Sequence, residues 1–160
     1  MIRIPIQKKD VENAKEIIKK FDVQKTYDKF ECKNNYLGVL GEMILAKWLD
    51  ENHHNSKWVG FVKEGWEEPD FIINNQSIDL KTTRSGQMWI QEPKFDIYIF
   101  SRINKGDTEL LLLRWIKKKK LLSLKNRGKL TEVEREGRKD WTVEIPQMTP
   151  IEEFNWHGEN

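Results

Sequence analysis

Apolar and polar positions change period several times along this chain, and each change marks an element. Ile2, Ile4 and Ile6 alternate with polar residues, which predicts a short edge strand ended by Pro5. Behind Asp10, a plausible N-cap, Val11, Ala14, Ile17, Ile18 and Phe21 fall at helical spacing. Residues 22 to 32 show no clear period. A longer helix is predicted from Asn34 or Asn35 to about Glu51. Its apolar positions run through Leu37, Leu40, Ile44, Leu45, Trp48 and Leu49 and cover much of the circumference, so it should be largely buried. Lys57 to Val62 reads as a strand, and Glu64 to Glu68 as an acidic connection.

The stretch from Pro69 to Lys81 has the period of a hairpin. Phe71-Ile72-Ile73 forms one strand, Asn74-Asn75-Gln76 the turn, and Ser77 to Thr83 the other strand. Asn accepts the positive φ that tight hairpin turns require. Arg84 to Pro93 is ambiguous: Ser85-Gly86 breaks the pattern, and Met88-Trp89-Ile90 fits a strand or a helical turn. Phe95 to Ile103 is apolar enough for a central strand. After a turn at Lys105-Gly106-Asp107, Glu109 to Ile116 reads as a strand buried on both faces. Residues 132 to 140 are mixed in charge. Trp141 to Ile145 reads as a last strand, and Thr149-Pro150-Ile151-Glu152 as a capping box opening a short helix that Gly158 ends.

Composition narrows the classes. A chain of 160 residues without repeat or linker is expected to be one domain, 1–160. Charged residues make up 34%, yet the net charge is only +2, so distribution decides more than total. Cys32 stands alone, which excludes an internal disulfide and fits a reducing compartment. The N-terminal MIRIPIQKKD has no apolar core of a signal peptide, and no run is long enough to span a bilayer. A soluble, intracellular, cytoplasmic protein with no membrane partner is expected. The seven Trp are read chiefly as packing residues.

Several residues do not fit simple packing. Asp79 and Lys81 lie two apart on one strand and share a face, while Ile78 and Leu80 point the other way. Asp70 opens the neighbouring strand. Charges inside β-branched apolar runs cost folding energy unless paired or used. Glu42 lies in the middle of the buried helix, with no cation one turn away. Gly38 and Ala46, one turn to either side, leave room for a close backbone approach. Two readings stand for Glu42: a half-exposed residue at the stripe's edge, or an inward carboxylate. From Leu110 to Thr131 there is no acid, whereas Arg114, Lys117, Lys118, Lys119, Lys120, Lys125, Arg127 and Lys129 are all cationic. That run is either a solvated helix start and loop or a phosphate-contacting surface. His53 and His54 diverge in direction, and with Cys32 and His157 give no zinc spacing.

The order helix with Glu42, strand with Asp70, strand with Asp79-Leu80-Lys81 resembles the PD-(D/E)xK nuclease superfamily. The matching residues are Pro69-Asp70, then Asp79-Leu80-Lys81 after residues 71 to 78, with Glu42 matching the helical acid often found upstream. The resemblance covers residues 34 to 116. It implies an α/β (α+β) fold of restriction-endonuclease-like type, a mixed central sheet flanked by helices. It also implies a Mg²⁺-dependent phosphodiester hydrolase, with Mn²⁺ as a substitute, acting on DNA. In that scheme Asp70, Asp79 and the backbone carbonyl of Leu80 hold the metal. Glu42 binds a second metal or orients a water, and Lys81 orients or activates the attacking water. Mg²⁺ chemistry agrees, since it prefers oxygen ligands and keeps several waters. Glu67 or Glu68 is an alternative to Asp70. Asp96 is read as structural. Gln91 resembles the glutamine of exonuclease-like branches, but Phe95 stands where those have tyrosine, which favours an endonuclease of restriction-like or junction/flap-cleaving type. Arg84 and Thr83, beside the Asp79/Lys81 face, are candidate substrate contacts. Cleaving both strands needs two sites, so a homodimer is expected. The competing readings are a non-catalytic nucleic-acid-binding module built on the basic run, and an interaction domain using its Trp residues.

Overall fold

A computed structural model of the protein describes residues 1–20, 36–52, 55–60, 68–135 and 137–158. Phe21, Cys32, Asn34, Asn35, His53, His54, the end of the Lys57–Val62 strand and Glu64 to Glu67 lie outside the described residues.

The first element is the expected edge strand, β1 (Ile2–Pro5), followed by α1 (Lys8–Lys20). Asp10 lies inside the first turn rather than capping it. The Gln7 carbonyl accepts the first helical hydrogen bonds, and the Gln7 N–H donates to the Asp10 carboxylate at 2.9 Å. An acid at that place satisfies an orphan donor and favours the positive end of the helix dipole. The second helix, α2 (Tyr36–Asn52), buries Leu37, Leu40, Gly41, Ile44, Leu45 and Leu49. It packs against α1 and against the sheet.

After β2 (Ser56–Trp58) comes the hairpin of β3 (Phe71–Ile73) and β4 (Gln76–Thr83). Ile73 pairs with Gln76, so the loop is Asn74-Asn75 alone and Gln76 belongs to β4. Both asparagines have positive φ, 50° and 60°, as a two-residue hairpin loop demands. Met88-Trp89-Ile90 is a strand, β5 (Met88–Ile90), followed by β6 (Ile97–Ile103) and β7 (Glu109–Lys117). The basic run then opens α3 (Lys118–Asn126).

The mixed-charge stretch and the expected Trp141–Ile145 strand together form a hairpin of β8 (Thr131–Arg135) and β9 (Arg138–Val143), so the last strand ends at Val143 and Ile145 opens a 3-10 turn. No helix runs to Gly158. The segment holds β10 (Thr149–Pro150) and one 3-10 turn at Ile151–Glu153, whose N-cap Pro150 offers no side-chain cap. The capping box sits earlier, between Glu144 and Gln147.

The fold is mixed α+β. The main sheet has the order β1-β7-β6-β4-β3-β2, with β10 also paired to β7, and a smaller sheet has the order β5-β9-β8. Among the described residues, only β4 and β6 run parallel in the main sheet. Parallel neighbours need a crossover, and here β5 supplies it by leaving for the small sheet.

Strand alternation divides the apolar residues between two cores. Ile78, Leu80, Ile97 and Ile99 face the helices and meet Leu40, Ile44 and Leu45. Tyr98, Phe100 and Ile116 face the other way, toward Met88, Ile90, Leu121, Leu124 and Val143. Fully burying such a side chain contributes roughly 1.5–3 kcal/mol. Three of the tryptophans are packing residues of the helix-side core: Trp48 meets Trp156 edge-on at 5.0 Å, and Trp115 meets Phe154 at 5.4 Å. No helix among the described residues is long and apolar enough to cross a membrane.

Candidate active site

Asp79 and Lys81 project from β4 on the face turned away from α2, in register with Tyr98 and Phe100 of β6. The strand fixes this: with Ile78 and Leu80 committed to the helix-side core, the odd positions have no choice of face. Asp70 precedes β3 by one residue. Its backbone N–H still donates to the Ile78 carbonyl at 3.0 Å, which extends the hairpin and aims its side chain at β4. The Asp70 carboxylate accepts the Leu80 N–H at 2.7 Å. A residue in a strand presents its N–H and C=O on the same edge. The Leu80 carbonyl therefore faces the gap that opens where β3 ends, beside Asp70.

Glu42 reaches the same place from α2. Gly41 is why the helix sits so close. A Cβ built on Gly41 would lie 2.2 Å from Thr82 Oγ1, so only glycine allows this contact between α2 and β4. The close approach is at Gly41 and not at Gly38, which has open space around it. Glu42 is half-buried, and the Trp58 indole N–H donates to its Oε2 at 3.4 Å.

Glu42, Asp70, Asp79, Leu80 and Lys81 thus line one cleft of about 300 Å³, together with Glu68, Gln91, Glu92, Lys94, Phe95 and Tyr98. The Leu80 side chain is turned into the helix-side core, so its backbone is what the cleft sees. A larger hollow of about 510 Å³ lies between α1, α2 and β3, but among the described residues its charged lining is only Asp10, Lys47 and Asp50, and none of the candidate residues lines it.

The charges in the cleft are tightly coupled. Asp70 and Asp79 are buried, at 6% and 7% exposure. Lys81 Nζ lies 2.7 Å from Asp79 Oδ2, yet that oxygen receives no well-directed hydrogen bond. Their contact is ionic rather than a closed hydrogen-bonded pair. The Lys81 side chain keeps 37% exposure because it stands on the floor of an open cleft, even though protein surrounds its ammonium. Burial is the largest influence on Lys81 and opposes its charge. The charge of Asp79 and its close contact with the ammonium, then the charge of Asp70, outweigh it and raise the pKa above its ordinary value. Tyr98 is raised chiefly by burial, against the hydrogen bonds its oxygen accepts from the Phe95 and Lys94 N–H groups.

Asp96 is outside the cleft and structural. Its carboxylate accepts from both the N–H and the hydroxyl of Ser77, at 2.9 and 2.8 Å, and clips the hairpin to β6. Arg84 is placed in a different neighbourhood. Its guanidinium donates to the Asn104 carbonyl at 2.7 Å, the Tyr36 hydroxyl at 2.9 Å and the Asp107 carboxylate at 2.6 Å. That junction ties β4 to the start of α2 and to the β6–β7 turn. Thr83 bonds the Ser85 hydroxyl.

Lys117 ends β7, and Lys118, Lys119, Lys120 and Lys125 belong to α3, with Arg127 and Lys129 just beyond. Two of them touch the cleft wall: Lys118 Nζ donates to the Lys94 carbonyl at 3.1 Å, and Lys125 pairs with Glu92 and lies over the Trp141 ring at 4.1 Å. Arg114 lies elsewhere, at a separate groove beside β10.

Glu92, Lys94 and Tyr98 are the cleft residues that sequence reasoning did not single out. Tyr98 is hidden in an apolar strand, and only its in-register place opposite Asp79 marks it.

No family model matches the chain, and no curated protein matches it. A solved structure of a nuclease from a fusselovirus is similar to it with a TM-score of 0.40 at 15% identity, over 79% of this chain and 90% of that one. So loose a likeness carries no weight on fold or activity.

Proposed function

We propose that the cleft is the active site of a metal-dependent nuclease that hydrolyses DNA phosphodiester bonds, as an endonuclease. The observation carrying this reading is that Glu42, Asp70, Asp79 and Lys81, from α2, the start of β3, and β4, line one cleft. Nothing in packing requires four ionisable groups there, and two of them are buried carboxylates.

Among the described residues no three His, Cys, Asp or Glu side chains stand together as a preformed metal cage. The donor set still fits Mg²⁺, which needs one or two carboxylates and keeps several waters. Asp70 and Asp79 would hold it, with the Leu80 carbonyl between them. The under-bonded Asp79 Oδ2 is the kind of buried oxygen a cation would complete. A bound Mg²⁺ would polarise the phosphate and lower the pKa of a water.

The chain's own groups would do the rest. Lys81, an ammonium beside Asp79, would donate to a phosphate oxygen and offset its charge. Glu42 would accept a hydrogen bond from the attacking water and orient it. Water adds to phosphorus, one phosphorus–oxygen ester bond breaks, and the departing oxygen takes a proton. The basic α3, joined to the cleft wall through Lys94 and Glu92, would guide the polyanion. Cleavage of both strands would call for a homodimer.

The test is incubation of the purified protein with supercoiled, linear and branched DNA, with and without Mg²⁺ or Mn²⁺. Divalent-dependent cleavage is expected, and it disappears in Asp79→Ala/Lys81→Ala. Cleavage that survives in the double variant removes the cleft from the reaction. The basic run of α3 and the residues beyond it supports a second reading, a non-catalytic nucleic-acid-binding module. Binding lost with Lys118, Lys119 and Lys120, in a protein that cleaves nothing with either metal, supports that one.

A further inference from the structure

A second groove, of about 530 Å³, shares no lining residue with the cleft. It opens where β7 changes partner. Residues up to Leu112 pair with β1, and from Arg114 onward the partner is β10. The register with β6 also shifts there, since Phe100 faces Arg114 while Ser101 faces Leu112. Leu113 is the extra residue of a bulge, and bulges re-aim side chains. Here the bulge leaves both Leu113 and Arg114 lining the groove.

Arg102, two along from Phe100 on the same face of β6, lines it too. Arg102 and Arg114 are therefore diagonal neighbours across the ladder, roughly 7–8 Å apart at the backbone, close enough for two guanidinium groups to converge. Both are half-buried. Neither side chain makes a hydrogen bond or ion pair with any described residue. Arg84, just past the end of β4, has three such partners, so lack of partners is not how this fold treats arginine. Among the described residues, the other charges on the groove are Glu152, Glu153 and the Met1 amino group. Met1 pairs with Glu152, which leaves two arginines facing Glu153 and a net positive groove.

We infer that this groove is an anion site in which Arg102 and Arg114 together bind a phosphate group. Guanidinium forks match phosphate geometry, and two half-dehydrated ones without an acid partner are stabilised by such an anion. The phosphate belongs either to a free nucleotide or to a polynucleotide backbone. The inference stands apart from the cleft, and its test needs neither divalent metal nor cleavage.

The experiment is calorimetric titration of the full chain, at low ionic strength without divalent metal. The probes are inorganic phosphate, adenosine 5′-monophosphate and a single-stranded oligonucleotide. One phosphate is expected per chain. Arg102→Gln/Arg114→Gln weakens it at least about tenfold, the scale of charge-assisted hydrogen bonds to one anion. Lys8→Gln/Lys9→Gln, two exposed cations of α1 that line neither the groove nor the cleft, leaves phosphate binding unchanged. Monophosphate binding tighter than phosphate, with the oligonucleotide unaffected by the arginine changes, assigns the site to a nucleotide. Oligonucleotide binding that weakens with those changes and competes with phosphate assigns it to the backbone. Should the double arginine variant not fold, Glu153→Gln is the second handle: it removes the opposing charge and tightens phosphate severalfold. Equal phosphate affinity in wild type and folded arginine variant, no binding at millimolar phosphate, or no tightening in Glu153→Gln overturns the inference.

Discussion

Strand β4 carries two ion pairs that look alike in sequence and differ in what surrounds them. At its end, Arg84 meets Asp107 at 2.6 Å, and the rest of the guanidinium is taken by the Tyr36 hydroxyl and the Asn104 carbonyl. Tyr36 also donates to Asp107 at 2.6 Å, so the acid is bonded from two sides. Three residues earlier, Lys81 lies 2.7 Å from an Asp79 oxygen that receives no well-directed hydrogen bond, and the pair opens on a cleft. The first arrangement has its donors and acceptors matched, as a structural pair must when half-buried. The second holds charge in a buried place without completing its bonds. Closure marks the pair that serves the fold, and its absence marks the pair available to a ligand.

The sharpest break of this comparison is to remove the open pair. Asp79→Ala/Lys81→Ala should lower divalent-dependent DNA cleavage by at least about a hundredfold, the scale for losing preorganised electrostatic stabilisation. Its stability should stay within about 1 kcal/mol of wild type, since neither member of the pair is left without the other and Asp70 keeps the hydrogen bond from the Leu80 N–H. Chemical denaturation and a plasmid cleavage time course read the two quantities. A large stability loss would place this pair with the structural one.

Removing the closed pair should do the reverse. Arg84→Ala leaves Asp107 with the Tyr36 hydroxyl and no cation and takes one of two donors from the Asn104 carbonyl, and hydrogen bonds to charged groups are worth about 1.5–3 kcal/mol. A drop of about 2 kcal/mol in unfolding free energy is expected, with cleavage by the remaining folded protein little changed. Beside the Asp79/Lys81 face, the sequence makes Arg84 a candidate substrate contact. Weakened DNA affinity at unchanged stability would restore that role.

Gly41→Ala probes how the open pair is reached by Glu42. The added methyl would meet Thr82 Oγ1 at 2.2 Å, so α2 must move off β4. Overpacking of this kind costs typically about 1–3 kcal/mol. Thr82→Ala in the same chain should return part of the loss, as measured by thermal unfolding. Cleavage should fall in Gly41→Ala as Glu42 shifts, and recover with the second change.

The β3–β4 hairpin and the strands β6 and β7 could be read from the chain because each carries its own signal: an Asn-Asn loop, strict alternation, or a long apolar run. The cleft's carboxylates and lysine could be read for the same reason, since the face of Asp79 and Lys81 follows from Ile78 and Leu80. The end of β9 could be read too, as the Trp141–Ile145 strand, but β8 and the start of β9 could not. Cross-strand charge joins them, with Lys139 Nζ 2.8 Å from Glu132, and Thr131, Glu132, Glu134, Arg138 and Lys139 are exposed, so no apolar period marks that part. Nor could the choice between Gly38 and Gly41, which depends on which face of α2 meets Thr82. The arginine groove depends on a bulge and a change of strand partner at Leu113, and neither leaves a mark on a four-leucine run.

Asp96 offers the smallest test, a closed acid at the other end of the same hairpin. Its pKa lies below the ordinary 3.8, first because the Ser77 backbone N–H bonds its charged form, then because the Ser77 hydroxyl does. The folded chain therefore holds this carboxylate ionised more readily than the unfolded chain does. That stabilisation is fully present above pH 3.8 and is lost as pH falls through the lower folded value. In Asp96→Asn the amide oxygen still accepts from Ser77 but does not titrate. The variant should be slightly less stable at neutral pH, and its stability should fall less steeply below pH 4, in a set of urea melts from about pH 5 to 2. Parallel acid limbs would mean that Ser77 does not discriminate the charged form, and Asp96 would lose its place among the closed acids.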